Sequence, residues 1–414
     1  MNFASVGNRK ETARRVSTIF GRLVVLAVLA QAPIQAATAQ DAQSPVGSTS
    51  AKLTEIQLFD DPTQTKLMRE TLNPGGLKMF VYVPESVRSS TQPRPLVVAL
   101  HGCAMSAEDY LQGTGWAQLA EKWGFAVLLP QEQKPTKLLD FMKGKNNPAL
   151  CFMWWEADRG NAEVISIMNM IKMMLTDYGS RLDPSRIYAT GVSAGAGMAV
   201  NLLALHPTCF AGGAPIAGIP FNCSEGSINQ AITTCMRPTD KPGPRPRQSL
   251  NEGGKNYSAQ KWGNWVRKDC SANKTCPSSE RGWPPITIWQ GEQDRMVGPG
   301  NLRDLRRQWT NVHGIDEIAD MQAIKPVPPY VVEHAQYADK KGRVLVETRL
   351  IGKEGPATDH GVVINPEEAS FACGRTQAFI YDGNICSTLE IGRFWGLDST
   401  ATTSTASDRC SNLK

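Results

Sequence analysis

The chain has 414 residues, 41% of them hydrophobic and 20% charged, an ordinary globular composition that excludes global disorder and fibre. Its formal net charge of +5 sits mostly in the first 39 residues, since the remainder carries 39 basic and 38 acidic residues, a net charge of +1. That balance argues against nucleic acid as a partner, because phosphate neutralisation requires clustered Lys and Arg.

The chain opens in the order of an export signal. Arg9, Lys10, Arg14, Arg15 and Arg22 are followed by an apolar run at 23–30 and by the small residues Ala37-Thr38-Ala39. The run is too short to span a bilayer, so cleavage after Ala39 is expected, with no stable membrane insertion afterwards and a secreted or periplasmic product. Residues 40–69 read as a lead-in, 70–398 as one catalytic domain with an insertion at 224–284, and 399–414 as a Ser/Thr-rich tail. Ten Cys, an even number in an exported chain, point to disulfides. Short loops close most easily, which favours Cys270 with Cys276 and Cys373 with Cys386. No C-x-x-C occurs and only five His are present, so no metal site is expected.

From residue 77 onward, short apolar runs alternate with helical patterns, the sequence form of a mostly parallel sheet with helices on both faces. Strands are expected at 77–83, 96–100, 125–129 and 186–190. Ser106 is placed to cap a helix that Gly113 and Gly115 interrupt before residues 116–123. Residues 163–178 repeat apolar positions at helical spacing, and Gly179 ends them. Residues 198–205 form an apolar helix. The insertion at 224–284 is rich in Pro, Gly, Lys and Asn and reads as a lid-like excursion with too little apolar periodicity for a core of its own. The sheet resumes at 286–289, and the final strand of the chain is expected at 344–351.

Gly191-Val192-Ser193-Ala194-Gly195 matches G-x-S-x-G, a pattern that chance supplies on the order of 0.2 times in such a chain, so context decides. Here it follows a strand and opens a helix, the strand-to-helix turn that lifts a serine hydroxyl above the sheet of an α/β-hydrolase fold. A serine nucleophile needs a histidine base and a carboxylate to orient it, in the chain order Ser, Asp or Glu, His, which excludes His101 as the base. Asp294 follows the strand at 286–289, with Glu292 the nearest substitute. Of the later histidines, His313 ends a charged helical stretch and reads as solvated. His334 precedes the last strand, whereas His360 follows it in a loop and is assigned the base role. The backbone N–H groups of Cys103, after the strand at 96–100, and of Ala194 are the expected oxyanion hole. Trp154, Trp155, Trp262, Trp265, Trp289 and Trp309 are candidates for a substrate surface, with Trp155 and Trp289 carried forward.

The segment Leu100-His101-Gly102-Cys103-Ala104, Glu108-Asp109-Tyr110, Cys151 to Trp155, Arg159-Gly160, Gly191 to Gly195, Cys373-Gly374 and Asn384-Ile385-Cys386-Ser387 resemble the esterase family of poly(3-hydroxybutyrate) depolymerases, which also includes feruloyl and acetylxylan esterases. The resemblance covers nearly all of 70–398. It implies an α/β-hydrolase with a Ser193, Asp294, His360 triad, an oxyanion histidine at His101 and a Cys103 to Cys151 disulfide, and it favours the Cys373 to Cys386 link. Where the family commonly shows Cys-Trp-Asn-Trp-Phe, this chain has Cys151-Phe152-Met153-Trp154-Trp155. The implied reaction is cofactor-free ester hydrolysis of a polyester or ester-decorated polymer, 3-hydroxyalkanoate polyester or its oligomers first. The alternatives are a feruloyl or acetylxylan esterase, an acyltransferase, and a non-catalytic binding protein on a hydrolase scaffold.

Overall fold

The computed structural model describes residues 52–57, 66–135, 147–237, 253–279, 282–353, 355–367, 373–399 and Cys410. The expected export signal and the middle of the 224–284 insertion lie outside these residues. Among the described residues no helix is long and apolar enough to cross a membrane.

Twelve strands are described in chain order: β1 (Thr54–Ile56), β2 (Lys78–Tyr82), β3 (Arg94–Leu100), β4 (Ala126–Gln131), β5 (Leu182–Val192), β6 (Gly212–Ile216), β7 (Ile286–Gly291), β8 (Met321–Val327), β9 (Tyr330–Ala338), β10 (Val344–Gly352), β11 (Val362–Ile364) and β12 (Ile380–Asp382). Ten of them form one sheet in the order β1-β2-β4-β3-β5-β6-β7-β10-β9-β8. The middle six, β4 to β10 in that order, run parallel. Antiparallel partners finish both edges.

The unbroken apolar runs of the central strands follow from burial on both faces. In β3, Leu96, Val98 and Leu100 enter one core while Val97 and Ala99 enter the other, and β4 divides Ala126 and Leu128 from Val127 and Leu129 in the same way. Helices α1 (Ala107–Gly113), α2 (Trp116–Trp123) and α7 (Ser387–Phe394) cover the second core. Helices α3 (Ala162–Tyr178), α4 (Ala194–Leu205), α5 (Ala259–Asn273) and α6 (Gly300–His313) cover the first. The expected helix signals hold. Ser106 and Asp109 form a reciprocal capping box at the start of α1, and Gly115, at φ 83°, separates α1 from α2.

Three expectations change. The strand at 344–351 closes the parallel run but is not the last: β11 and β12 follow it as a separate two-stranded sheet. A hairpin of β8 and β9 precedes it and extends the sheet by two antiparallel strands. The described part of the 224–284 insertion is built into the main core, because α5 buries Trp262, Val266 and Cys270 against α6 and α4. Disulfides join Cys103 to Cys151, Cys270 to Cys276 and Cys373 to Cys386, as expected, and also Cys223 to Cys235 and Cys209 to Cys410. The last of these ties Cys410 to Cys209, four residues beyond the end of α4.

Candidate active site

Parallel strands bring their carboxyl ends to one edge of the sheet, and the neighbours β3, β5, β6, β7 and β10 deliver His101, Ser193, Asp294 and His360 there. Backbone bonds stitch these ends together: Ser193 N–H donates to Ile216 O at 3.0 Å, Ala217 N–H to Trp289 O at 2.8 Å, and Glu292 N–H to Ile351 O at 2.9 Å.

Ser193 sits between β5 and α4 at φ 57° and ψ −120°, a conformation that a residue with a Cβ adopts only when its surroundings enforce it. The flanking glycines supply that enforcement. A Cβ at Gly195 would lie 2.3 Å from Leu100 O, and one at Gly191 would lie 2.5 Å from the Gly195 backbone. The turn therefore packs directly on the end of β3, and only G-x-S-x-G fits. Every residue from 187 to 205 is buried except Ser193.

Asp294 is fully buried and its carboxylate accepts four hydrogen bonds. Oδ1 takes the N–H groups of Met296 at 2.9 Å and Val297 at 2.8 Å, while Oδ2 takes Gln290 Nε2 and His360 Nδ1, both at 2.8 Å. With Nδ1 committed to Asp294, Nε2 is the nitrogen left to receive a proton. Burial alone would lower the proton affinity of His360, but the charge and hydrogen bond of Asp294, with the charge of Asp359, leave it raised above the ordinary histidine value.

The residue after the acid also clasps the residue before the base. Arg295 N–H donates to Asp359 Oδ1 at 3.1 Å and its Nε to Oδ2 at 2.7 Å, and Asp359 Oδ1 also accepts the His360 N–H at 2.8 Å. Despite its burial, Asp359 is held below its ordinary value by these partners. Gln293 N–H donates to Thr358 O at 2.8 Å, completing the seam between the two loops. Phe379 stands edge-on to the imidazole, with ring centroids 6.1 Å apart.

On the other side of Ser193, the backbone N–H of Ala194 opens α4 and that of Cys103 follows β3. Neither donates to a protein acceptor among the described residues. The imidazole of His101 is buried, and both of its nitrogens are engaged with backbone: Nδ1 donates to Gly102 O at 2.7 Å and Nε2 accepts the Glu132 N–H at 3.1 Å. Burial pushes it down to about 4, so it is neutral. Its ring thus has no proton to offer an oxyanion directly. In a planar trans peptide, C=O and N–H point in opposite directions, so holding Gly102 O fixes the direction of the Cys103 N–H.

The other sequence candidates resolve as follows. His334 pairs with Glu347 at 2.7 Å inside the sheet. His313 is half-buried on the Pro284 carbonyl at 3.2 Å, not solvated, and burial pushes it down to about 4. Trp289 is 1% exposed. Its indole N–H bonds Thr287 Oγ1 and its ring lies under Arg349, so it has no face for substrate. Trp262 and Trp309 are fully buried. Trp154 packs on Gly197 of α4, and its neighbour Trp155 is held through its carbonyl by Ser224 Oγ, which keeps this pair beside α4. Among the described residues no cluster of three or more His, Cys, Asp or Glu is arranged to hold a metal ion.

A family profile described as Esterase PHB depolymerase matches residues 77–244. The poly(3-hydroxyalkanoate) depolymerase C of Paucimonas lemoignei is 36% identical over 329 residues, which cover 78% of this chain and 68% of that protein. The chain belongs to the PHB depolymerase esterase family. Like its relatives there, it is a carboxylic ester hydrolase. Feruloyl esterase B of Talaromyces stipitatus is 27% identical over 64% of this chain, which spans 63% of that relative's length. An acetyl xylan esterase from Aspergillus awamori superposes with a TM-score of 0.54 at 20% identity, covering 84% of this chain and all of that one, a likeness of fold.

Proposed function

We propose that this PHB depolymerase-family esterase cleaves 3-hydroxyalkanoate polyester or its oligomers through an acyl-enzyme on Ser193. The observation that carries the reading is the burial pattern around the turn: in the nineteen-residue stretch 187–205, Ser193 alone is left partly exposed. It stands at the same sheet edge as the His360–Asp294 pair. His360 Nε2 takes the serine proton as the ester carbonyl is attacked. Asp294 holds the imidazole in the required tautomer, and the Cys103 and Ala194 N–H groups receive the oxyanion. The leaving alcohol takes the proton from His360, and water then releases the acid by the reverse traffic. The 36%-identical depolymerase supports the substrate class. The five disulfides support an exported protein.

The test is hydrolysis by residues 40–414 of amorphous poly(3-hydroxybutyrate), hydroxybutyrate oligomers, methyl ferulate and acetylated xylan, each beside Ser193→Ala. Release of hydroxybutyrate by the wild type alone supports the proposal. Activity on ferulate or acetylated xylan with none on hydroxybutyrate esters replaces its substrate with a cell-wall one. Inactivity on every ester overturns the catalytic reading.

A further inference from the structure

The supports of the oxyanion loop end on a pair of acids that acyl transfer does not use. Glu132 directly follows β4 and Glu163 lies in the first turn of α3, and both are at most 1% exposed. Their carboxyls are within hydrogen-bonding reach of one another. Apart from the Gln133 N–H, the smallest of the influences on it, neither carboxyl oxygen of Glu132 meets another hydrogen-bond donor among the described residues. Glu163 accepts the Met153 N–H at 2.7 Å and sits at the positive end of a 17-residue helix, so it has the stronger claim to a negative charge. Two carboxylates in contact and away from water repel too strongly for both to ionise. The contact is attractive only with a proton in it, and that proton belongs on Glu132.

The pair closes a ring of contacts behind the oxyanion loop. From Glu132 the chain of contacts runs through its N–H to His101 Nε2, and through His101 Nδ1 to Gly102 O, which aims the Cys103 N–H. Cys103 is bonded to Cys151, two residues from Met153, and Ala104 N–H donates to Ala149 O at 2.9 Å. Met153 returns to Glu163, and Asn161 holds the same segment through Met153 O and Glu156 O, both at 2.9 Å. Every link but one is a covalent bond or a hydrogen bond with a fixed donor. The exception is the contact between the acids.

We propose that Glu132 is a positioning residue: as a neutral carboxylic acid it donates to the Glu163 carboxylate and so locks the oxyanion loop to segment 151–156. The proposal rests on the reading of Cys103 N–H as an oxyanion donor. Burial first, and then the charge and hydrogen bond of Glu163, push Glu132 well above the ordinary carboxylate range. Two other titratable groups face this ring: the His101 imidazole, which is neutral, and Asp109, whose charge acts on that imidazole. A folded-state value above the unfolded one means that the contribution to stability is complete below the unfolded carboxyl range. It is lost as pH rises through the folded value.

The test uses the full mature chain with Glu132→Gln, which keeps a neutral donor, and Glu132→Ala, which removes it. At neutral pH the difference infrared spectrum of wild type against Glu132→Gln should contain the carbonyl stretch of a protonated carboxyl group. The melting temperature of the wild type should fall more steeply into alkaline buffer than that of Glu132→Gln. In Glu132→Ala, kcat on p-nitrophenyl butyrate should fall on the order of ten- to a hundredfold with KM little changed, and Glu132→Gln should recover most of that loss. No protonated band together with parallel melting curves overturns the shared proton. The band with an unchanged kcat in Glu132→Ala overturns the positioning role. The spectral and melting readouts need no turnover, so they remain decisive even if the esterase reading fails. Should Glu132→Ala not fold, the kcat of Glu132→Gln across alkaline pH decides: a flat profile where the wild type declines supports the role, and matching profiles overturn it.

Discussion

At Asp294 the chain gathers four donors onto one carboxylate, two of them backbone N–H groups from the turn that follows it. Four such bonds hold the carboxylate still, as an orienting group must be held. Asp294→Asn should therefore leave the fold intact and reduce kcat by about four orders of magnitude, because an amide Nδ2 in place of Oδ2 favours the wrong imidazole tautomer; steady-state kinetics beside an unchanged melting curve checks this. Asp359 and Arg295 make a signed prediction. His360 works as a base only when neutral, so activity disappears as pH falls through its raised value. Asp359→Asn removes a nearby negative charge and should move the acid limb of kcat/KM to lower pH. Arg295→Gln removes the cation that offsets Asp359 and should move the limb to higher pH. Shifts of the same sign in both variants contradict the electrostatic account. The proposed triad is legible in the sequence because a strand-turn-helix motif and chain order are local facts. It hid the Arg295–Asp359 clasp and the Glu132–Glu163 contact, because charged residues in polar loops carry no mark of their partners 64 or 31 positions away.

At the scale of elements, the turn at Ser193 is held by contacts that leave no room for a methyl group. Gly195→Ala would place a Cβ 2.3 Å from Leu100 O and 2.5 Å from His101 O, both backbone atoms that cannot step aside. It should cost about 3 kcal/mol or more of stability, measured by urea unfolding. The central strands are legible because most of their residues are buried against one of two cores, leaving largely unbroken apolar runs. The β8–β9 hairpin was not, because β8 is a solvated edge strand that exposes Gln322, Ile324, Lys325 and Pro326. Helix α5 was hidden for a related reason. It buries a narrow stripe of four residues, Trp262, Gly263, Val266 and Cys270, and exposes Gln260, Lys261, Asn264 and Lys268. The His101 ring was read from its family as part of the oxyanion hole. Its two backbone partners leave it no free N–H, so in the proposed mechanism it holds the peptide that carries the donor.

Across the whole molecule the five disulfides differ most in the loop each closes. The Cys209–Cys410 bond spans 201 positions and the Cys270–Cys276 bond spans six. By loop-closure entropy the first is worth about 5 kcal/mol and the second about 2 kcal/mol. Paired Ser substitutions should therefore lower the melting temperature more at 209 and 410 than at 270 and 276, and the reverse order contradicts a chain-entropy origin. The architecture places every proposed catalytic group on one edge of the sheet, after strands that are neighbours in it, so the site depends on the parallel core as a unit. The central claim is that Ser193 is the nucleophile of that site, and it is tested most directly by kcat/KM for p-nitrophenyl butyrate with Ser193→Ala beside the wild type. A fall of roughly three to six orders of magnitude in a variant that melts like the wild type is the predicted result; a variant that retains activity within about tenfold of the wild type would contradict it.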